Sequence, residues 1–158
     1  MKSIFLLSVC FLALISCKQS VILRVQYYQP HCGGAPPLPG QESGTFYPVM
    51  GTVLVNNAQD SLFISTRFSG VDVKLRNGDY SWYEGNKLES ADSIYQSLLG
   101  LNPEFYVPSD LECVKLWKTQ PDGTFVINKN SDTIILTKRI DCYTKELPCV
   151  KYIGPKYQ

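Results

Sequence analysis

A mainly β protein, an antiparallel β-sandwich carrying a short two-helix insertion, is what this sequence predicts, and three observations predict it. Val71, Val73 and Leu75 alternate with Asp72, Lys74 and Arg76, the period of two that makes one strand face apolar and the other charged. Turn-forming groups such as Asn77-Gly78 and Pro121-Asp122-Gly123 punctuate runs rich in β-branched and aromatic residues. The period changes to three and four only within residues 88–119. A chain of 158 residues is enough for one domain and short for two.

Taken in order, Val21 to Tyr28 reads as a first strand that belongs either to the sheet or to an ordered tether. Gln29 to Gly44 holds Pro30, Pro36, Pro37 and Pro39 among glycines, a composition that denies it a helix or a central strand. Phe46 to Asn56 reads as one strand, with Pro48 and Gly51 marking an edge or a bulge, and Leu62 to Thr66 as another. Asn77-Gly78 predicts a tight hairpin joining the strand at Val71 to the one at Tyr80, Trp82 and Tyr83. Leu88 to Gly100 reads as a helix capped by Ser90, with Ile94, Tyr95, Leu98 and Leu99 on one side and Gly100 as a left-handed exit. In Pro108 to Thr119, Ser109 to Glu112 forms a capping box, and Leu111, Val114 and Trp117 make a stripe suited to lying on a sheet. Thr124 to Ile127 and Thr133 to Thr137 read as a second hairpin, followed by a loop-like tail held by cysteines.

Met1 to Ser16 has one basic residue and then an apolar run too short to span a bilayer, the pattern of a secretory signal. Its end, Leu14-Ile15-Ser16-Cys17, resembles the lipobox of bacterial lipoproteins. The resemblance implies cleavage before Cys17, acylation of that residue, and a lipid-anchored protein of the bacterial cell envelope, at the outer membrane. The nearby run Cys32 to Pro37 also resembles bacterial envelope lipoproteins. The expected division is therefore a signal at 1–16, a lipid-anchored tether with the first strand and the Pro/Gly loop at 17–45, and a sandwich domain at 46–158 with its helical insertion at 88–119.

Loss of Lys2 with the signal leaves 14 basic and 14 acidic residues. Such balance argues against a nucleic-acid partner, which calls for a basic patch. Cys32, Cys113, Cys142 and Cys149 remain for the exported domain, an even number that favours two disulfides among three possible connectivities. The short loop between Cys142 and Cys149 makes that pair, with Cys32 to Cys113, the first choice.

The spacing of Thr66, Gly70, Val71, Val73, Leu75, Gly78 and Tyr80 resembles the hairpin of transthyretin-like domains, also called prealbumin-like or carboxypeptidase regulatory-like. One branch of that family hydrolyses 5-hydroxyisourate with paired histidines, an arginine and a Tyr-Arg-Gly-Ser end. Here His31 is the only histidine and the chain ends Gly-Pro-Lys-Tyr-Gln, so that activity does not carry over. No nucleophile elbow, phosphate loop or dinucleotide motif is present. No catalytic residue, cofactor or metal site is expected, and the function that follows is a non-catalytic binding or accessory module for an envelope protein or a glycan. Trp82, Tyr83 and Trp117 are its candidate binding residues, since exposed aromatics stack on sugars and on partner side chains. The alternative is a metal-binding envelope protein that uses His31 and the cysteines in reduced form.

Overall fold

The computed structural model describes residues 18–33 and 44–156. The signal, Cys17 and most of the Pro/Gly loop lie outside the described residues. Among the described residues there are ten strands: β1 (Gln19–Pro30), β2 (Gly44–Pro48), β3 (Thr52–Asn56), β4 (Ser61–Ser65), β5 (Val71–Leu75), β6 (Gly78–Glu84), β7 (Tyr106–Pro108), β8 (Gly123–Ile127), β9 (Thr133–Arg139) and β10 (Val150–Tyr152). The helices are α1 (Ala91–Leu99) and α2 (Leu111–Thr119), and Gly85–Leu88 forms a 3-10 turn.

Two sheets face each other. In the first, β1 is the spine, pairing antiparallel with β5 along its first half and with β2 along its second. On its other side β1 pairs in parallel with β9, from Ile22 opposite Thr133 to Tyr28 opposite Arg139. The second sheet is antiparallel throughout, in the order β4-β3-β6-β8. Alternation turns Val21, Leu23, Val25, Val73, Leu75 and Leu136 of the first sheet onto Val53, Val55, Ile64, Tyr80, Trp82 and Ile127 of the second, and these form one buried core. The mainly β class and the sandwich with a helical insertion are thus as the sequence predicts.

β1 is the central strand of its sheet and not part of a tether. The folded domain therefore includes Gln19–Pro30, well before residue 46.

Neither predicted hairpin forms, because each connection crosses between sheets. β5 pairs with β1, whereas β6 pairs with β3 and β8. The Tyr80 hydroxyl accepts a bond from the Arg76 amide and donates one to the Arg76 carbonyl, both at 3.1 Å. Arg76 therefore finds its partners in a side chain where a hairpin would have supplied a facing strand. Gly78 completes the arch at φ 147°, a region that favours glycine. β8 and β9 are likewise split between sheets, joined by a turn in which the Asp132 carbonyl accepts from the Ile22 amide at 2.8 Å.

The single strand expected over Phe46 to Asn56 is also divided, with β2 in one sheet and β3 in the other. The buried Thr66 hydroxyl holds this corner, bonding to the carbonyls of Val49 and Gly51 and accepting from the Gly51 amide at 3.0 Å.

Ser90 caps α1 by accepting from the Ser93 amide at 3.1 Å, as predicted. Gly100 leaves the helix in the right-handed region at φ −79°, not the left-handed one. The cap of α2 is Asp110, accepting from Cys113, and not Ser109. Ser109 is drawn off because its amide donates to the Cys149 carbonyl at 2.7 Å, extending the ladder of β7 with β10. The buried residues of the helices do not join the core of the sandwich. Ile94, Leu98 and Val114 form a second small core with Leu147, Cys149 and Val150 of the tail.

Cys32 is bridged to Cys142 and Cys113 to Cys149, with Cα separations of 5.3 and 5.9 Å. This overturns the pairing of Cys142 with Cys149 and of Cys32 with Cys113. The parallel register explains the first bridge: Tyr28 lies opposite Arg139, so Cys32 and Cys142 leave the ends of neighbouring strands together. The second follows from Val150 opposite Pro108, which sets Cys149 beside the first turn of α2. Chain-entropy arguments give the longer loop about 5 kcal/mol of stabilisation and the shorter one about 4 kcal/mol.

Candidate functional site

Three strands end their inward stripes with a polar residue at one end of the sandwich. On β1 the stripe Val21, Leu23, Val25 ends in Tyr27; on β6, Tyr80 and Trp82 are followed by Glu84; on β9, Ile134 and Leu136 are followed by Lys138. Residues two apart on a strand share a face, so these groups are carried inward by the register that builds the core.

Asp122, in the turn before β8, and Lys87, in the 3-10 turn, complete a cluster. The Lys87 ammonium lies 3.1 Å from Asp122, their side chains each 3% exposed, and donates to the Gln120 carbonyl at 2.7 Å. Lys138 pairs with Glu84 and, at 3.0 Å, with the same Asp122 oxygen. The other Asp122 oxygen accepts from the Glu84 amide at 2.8 Å. Trp117 of α2 covers the group, its ring centre 4.7 Å from the Lys87 nitrogen and 5.9 Å from that of Lys138. Two cations and two carboxylates balance, which is the condition for keeping charge so far from water.

The environment fixes protonation. Burial alone would pull the Lys138 ammonium down, but the hydrogen bond and charge of Glu84, with Asp122, outweigh it and hold its pKa above the ordinary lysine value. Burial pushes the Tyr27 phenol well above its ordinary range, and neighbouring Glu84 adds to the shift. Lys138 is therefore kept charged and Tyr27 neutral near pH 7, so neither serves as a base.

A cleft of about 470 Å³ opens beside the cluster, lined by Tyr27, Met50, Gly51, Glu84, Asn86 and Leu88 among others. Glu84 Oε1 and Asn86 Oδ1 are buried acceptors with no hydrogen-bond partner among the described residues. Tyr27 lies close enough to Glu84 to act on its carboxylate, yet it does not meet Oε1 in ordinary hydrogen-bond geometry, which leaves that oxygen capacity to accept. Met50 and Leu88 give the cleft an exposed apolar rim.

No family model, curated protein or solved structure matches the chain.

The three aromatics predicted to bind do not converge. Trp82 is 1% exposed, a core residue that offers no surface. Tyr83, next along β6, must point the opposite way and sits on the outer face of its sheet. Trp117 is half-buried over the lysines. All four cysteines of the domain are held in bridges, so His31 alone remains of the metal-binding set considered above. No helix among the described residues is long and apolar enough to cross a membrane.

Sequence reasoning missed Tyr27, Glu84, Lys87, Asp122 and Lys138. The signal was present on the strands, where a charged residue continues an apolar alternation two places further on. For Lys87 and Asp122, which lie in turns, the sequence carries no comparable signal.

Proposed function

We propose that the protein is a lipid-anchored envelope module, acylated at Cys17, that binds a glycan or a polar segment of another envelope protein without transforming it. The transthyretin-like resemblance fits such a role and is part of this reading. The observation that carries it is the cleft beside Glu84 and Asn86, where buried acceptors with spare capacity suit a ligand rich in hydroxyl or amide donors. The ionisable groups behind that cleft neutralise one another, which favours holding a ligand over proton transfer.

Two measurements test the proposal. The mass of the mature protein should show acyl chains on a residue-17 amino terminus. A glycan array and cross-linking in envelope extracts should capture a ligand with the wild type and lose it with Asn86→Ala and Tyr27→Phe. Capture that is unchanged in both variants, or no capture at all, refutes the cleft; a mature protein without acyl chains refutes the anchor.

A further inference from the structure

The outer edge of β4 has no partner among the described residues. Ladder parity shows which groups it presents. The Thr66 amide donates to the Gly51 carbonyl and the Asn57 amide to the Asp60 carbonyl, so Leu62 and Ile64 spend their backbone groups on β3. The amides and carbonyls of Ser61, Phe63 and Ser65 point away from the sheet.

Such an edge is normally guarded by charge, proline or a bulge. β5 carries Asp72 and Lys74, β2 carries Pro48, and β9 carries Lys138 and Arg139, while β8 packs beside β9. β4 reads Ser-Leu-Phe-Ile-Ser and has none of these guards. Space is open beside it: a cleft of about 610 Å³ separates β4 from β5. The outer face leads to this edge through an apolar row, since Phe63, 63% exposed, lies opposite Leu54, which in turn lies opposite Tyr83.

We propose that β4 is the seam of a symmetric dimer, in which a second copy of this chain adds its own β4 antiparallel and joins the two outer sheets into one. The edge is self-complementary. Centred on Phe63, the outward-facing positions meet only outward-facing positions, Phe63 with Phe63 and Ser61 with Ser65, so each pair exchanges both main-chain bonds. Asp60, which precedes the strand, is already paired with Lys18 at 3.8 Å and Arg76 at 3.6 Å within its own chain, so the main-chain register and the apolar row, not charge, carry the pairing. The apolar row becomes continuous across the seam, with the phenylalanines as its central cross-strand pair. A two-fold contact also closes on itself, so one pairing uses up both free edges and no filament grows. This assembly is independent of the lipid anchor and of the ligand cleft.

The test uses the full mature chain with its disulfides intact. Sedimentation across a concentration series should show a monomer–dimer equilibrium. Amide exchange at Ser61, Phe63 and Ser65 should slow as concentration rises, while Leu62 and Ile64 stay protected throughout. Phe63→Pro removes the outward donor without touching the β3 ladder, and Phe63→Lys restores a guard while keeping the backbone. Each should weaken dimerisation at least about tenfold, a change of roughly 1.4 kcal/mol. A chain that stays monomeric at high concentration overturns the proposal. So does a dimer that both variants leave intact, or one in which Ser61, Phe63 and Ser65 exchange at the same rate in monomer and dimer.

Discussion

Lys138→Met is the most telling perturbation of the ionic cluster. It removes one of two buried cations and leaves Glu84 and Asp122, 4% and 3% exposed at their side chains, to share the single charge of Lys87. Breaking a buried pair by deleting one partner costs about 3 to 5 kcal/mol, because the remaining charge is stranded. That is a large part of the roughly 5 to 15 kcal/mol of a domain this size. Adding Glu84→Gln restores the balance, one cation against one carboxylate. The double variant should therefore cost less than the sum of the singles by about 1 to 3 kcal/mol. Urea unfolding followed by the fluorescence of Trp82 and Trp117 measures all four stabilities. The pH dependence has a definite sign. Folding raises the Lys138 pKa, so its stabilisation is fully present below the ordinary value of 10.5 and is lost as pH climbs through the folded value. Tyr27, also raised by folding, acts in the same direction above its ordinary 10.0. Wild type should lose more stability than Lys138→Met between pH 10 and the onset of alkaline unfolding. A single variant within about 1 kcal/mol of wild type, or strictly additive singles, would refute the view of these four residues as one coupled network.

Three further predictions follow from the backbone. Tyr80→Phe deletes the hydroxyl that satisfies both the amide and the carbonyl of Arg76, and should cost about 1 to 3 kcal/mol in denaturant unfolding. Cys149 sits at φ 54°, a left-handed conformation that costs a side chain about 1 kcal/mol relative to glycine. The double variant Cys113→Ala with Cys149→Gly should therefore be more stable than Cys113→Ala with Cys149→Ala by about that amount. A tryptic map without reductant, with cleavage after Lys145, should join the peptide of Cys32 to that of Cys142 and the peptide of Cys113 to that of Cys149.

What could be read beforehand was whatever is local in the chain. The alternation of Val71 to Leu75 gave a real strand with Val73 and Leu75 buried, and Ser90 caps the helix it was expected to cap. The errors arose where two local signals were compatible with more than one partner. Asn77-Gly78 suits a tight hairpin and also an arch between sheets, and the choice was made by Tyr80 reaching back to Arg76. Cysteine pairing failed for a similar reason. Proximity along the chain favoured Cys142 with Cys149, while the parallel match of β1 with β9, absent from any local pattern, brought Cys142 to Cys32. The aromatic residues misled because type was read without face. Trp82 and Tyr83 are adjacent on a strand and so cannot share a surface, whereas the inward continuation of Tyr80 and Trp82 into Glu84 marked the true polar site.

The partnership of the first strand with almost the last sets the order in which this molecule can be completed. During synthesis β1 emerges early, carrying the apolar side of Val21, Leu23 and Val25, while the segment that flanks it in parallel follows more than a hundred residues later, as does the cysteine that locks them, 110 positions beyond Cys32. Contacts so distant in sequence close slowly. The incomplete chain exposes that apolar side over the interval, and oxidation too early would pair Cys32 with whichever thiol arrived first. Late closure of the first sheet is the consequence of placing its spine so far ahead of the strand that flanks it in parallel.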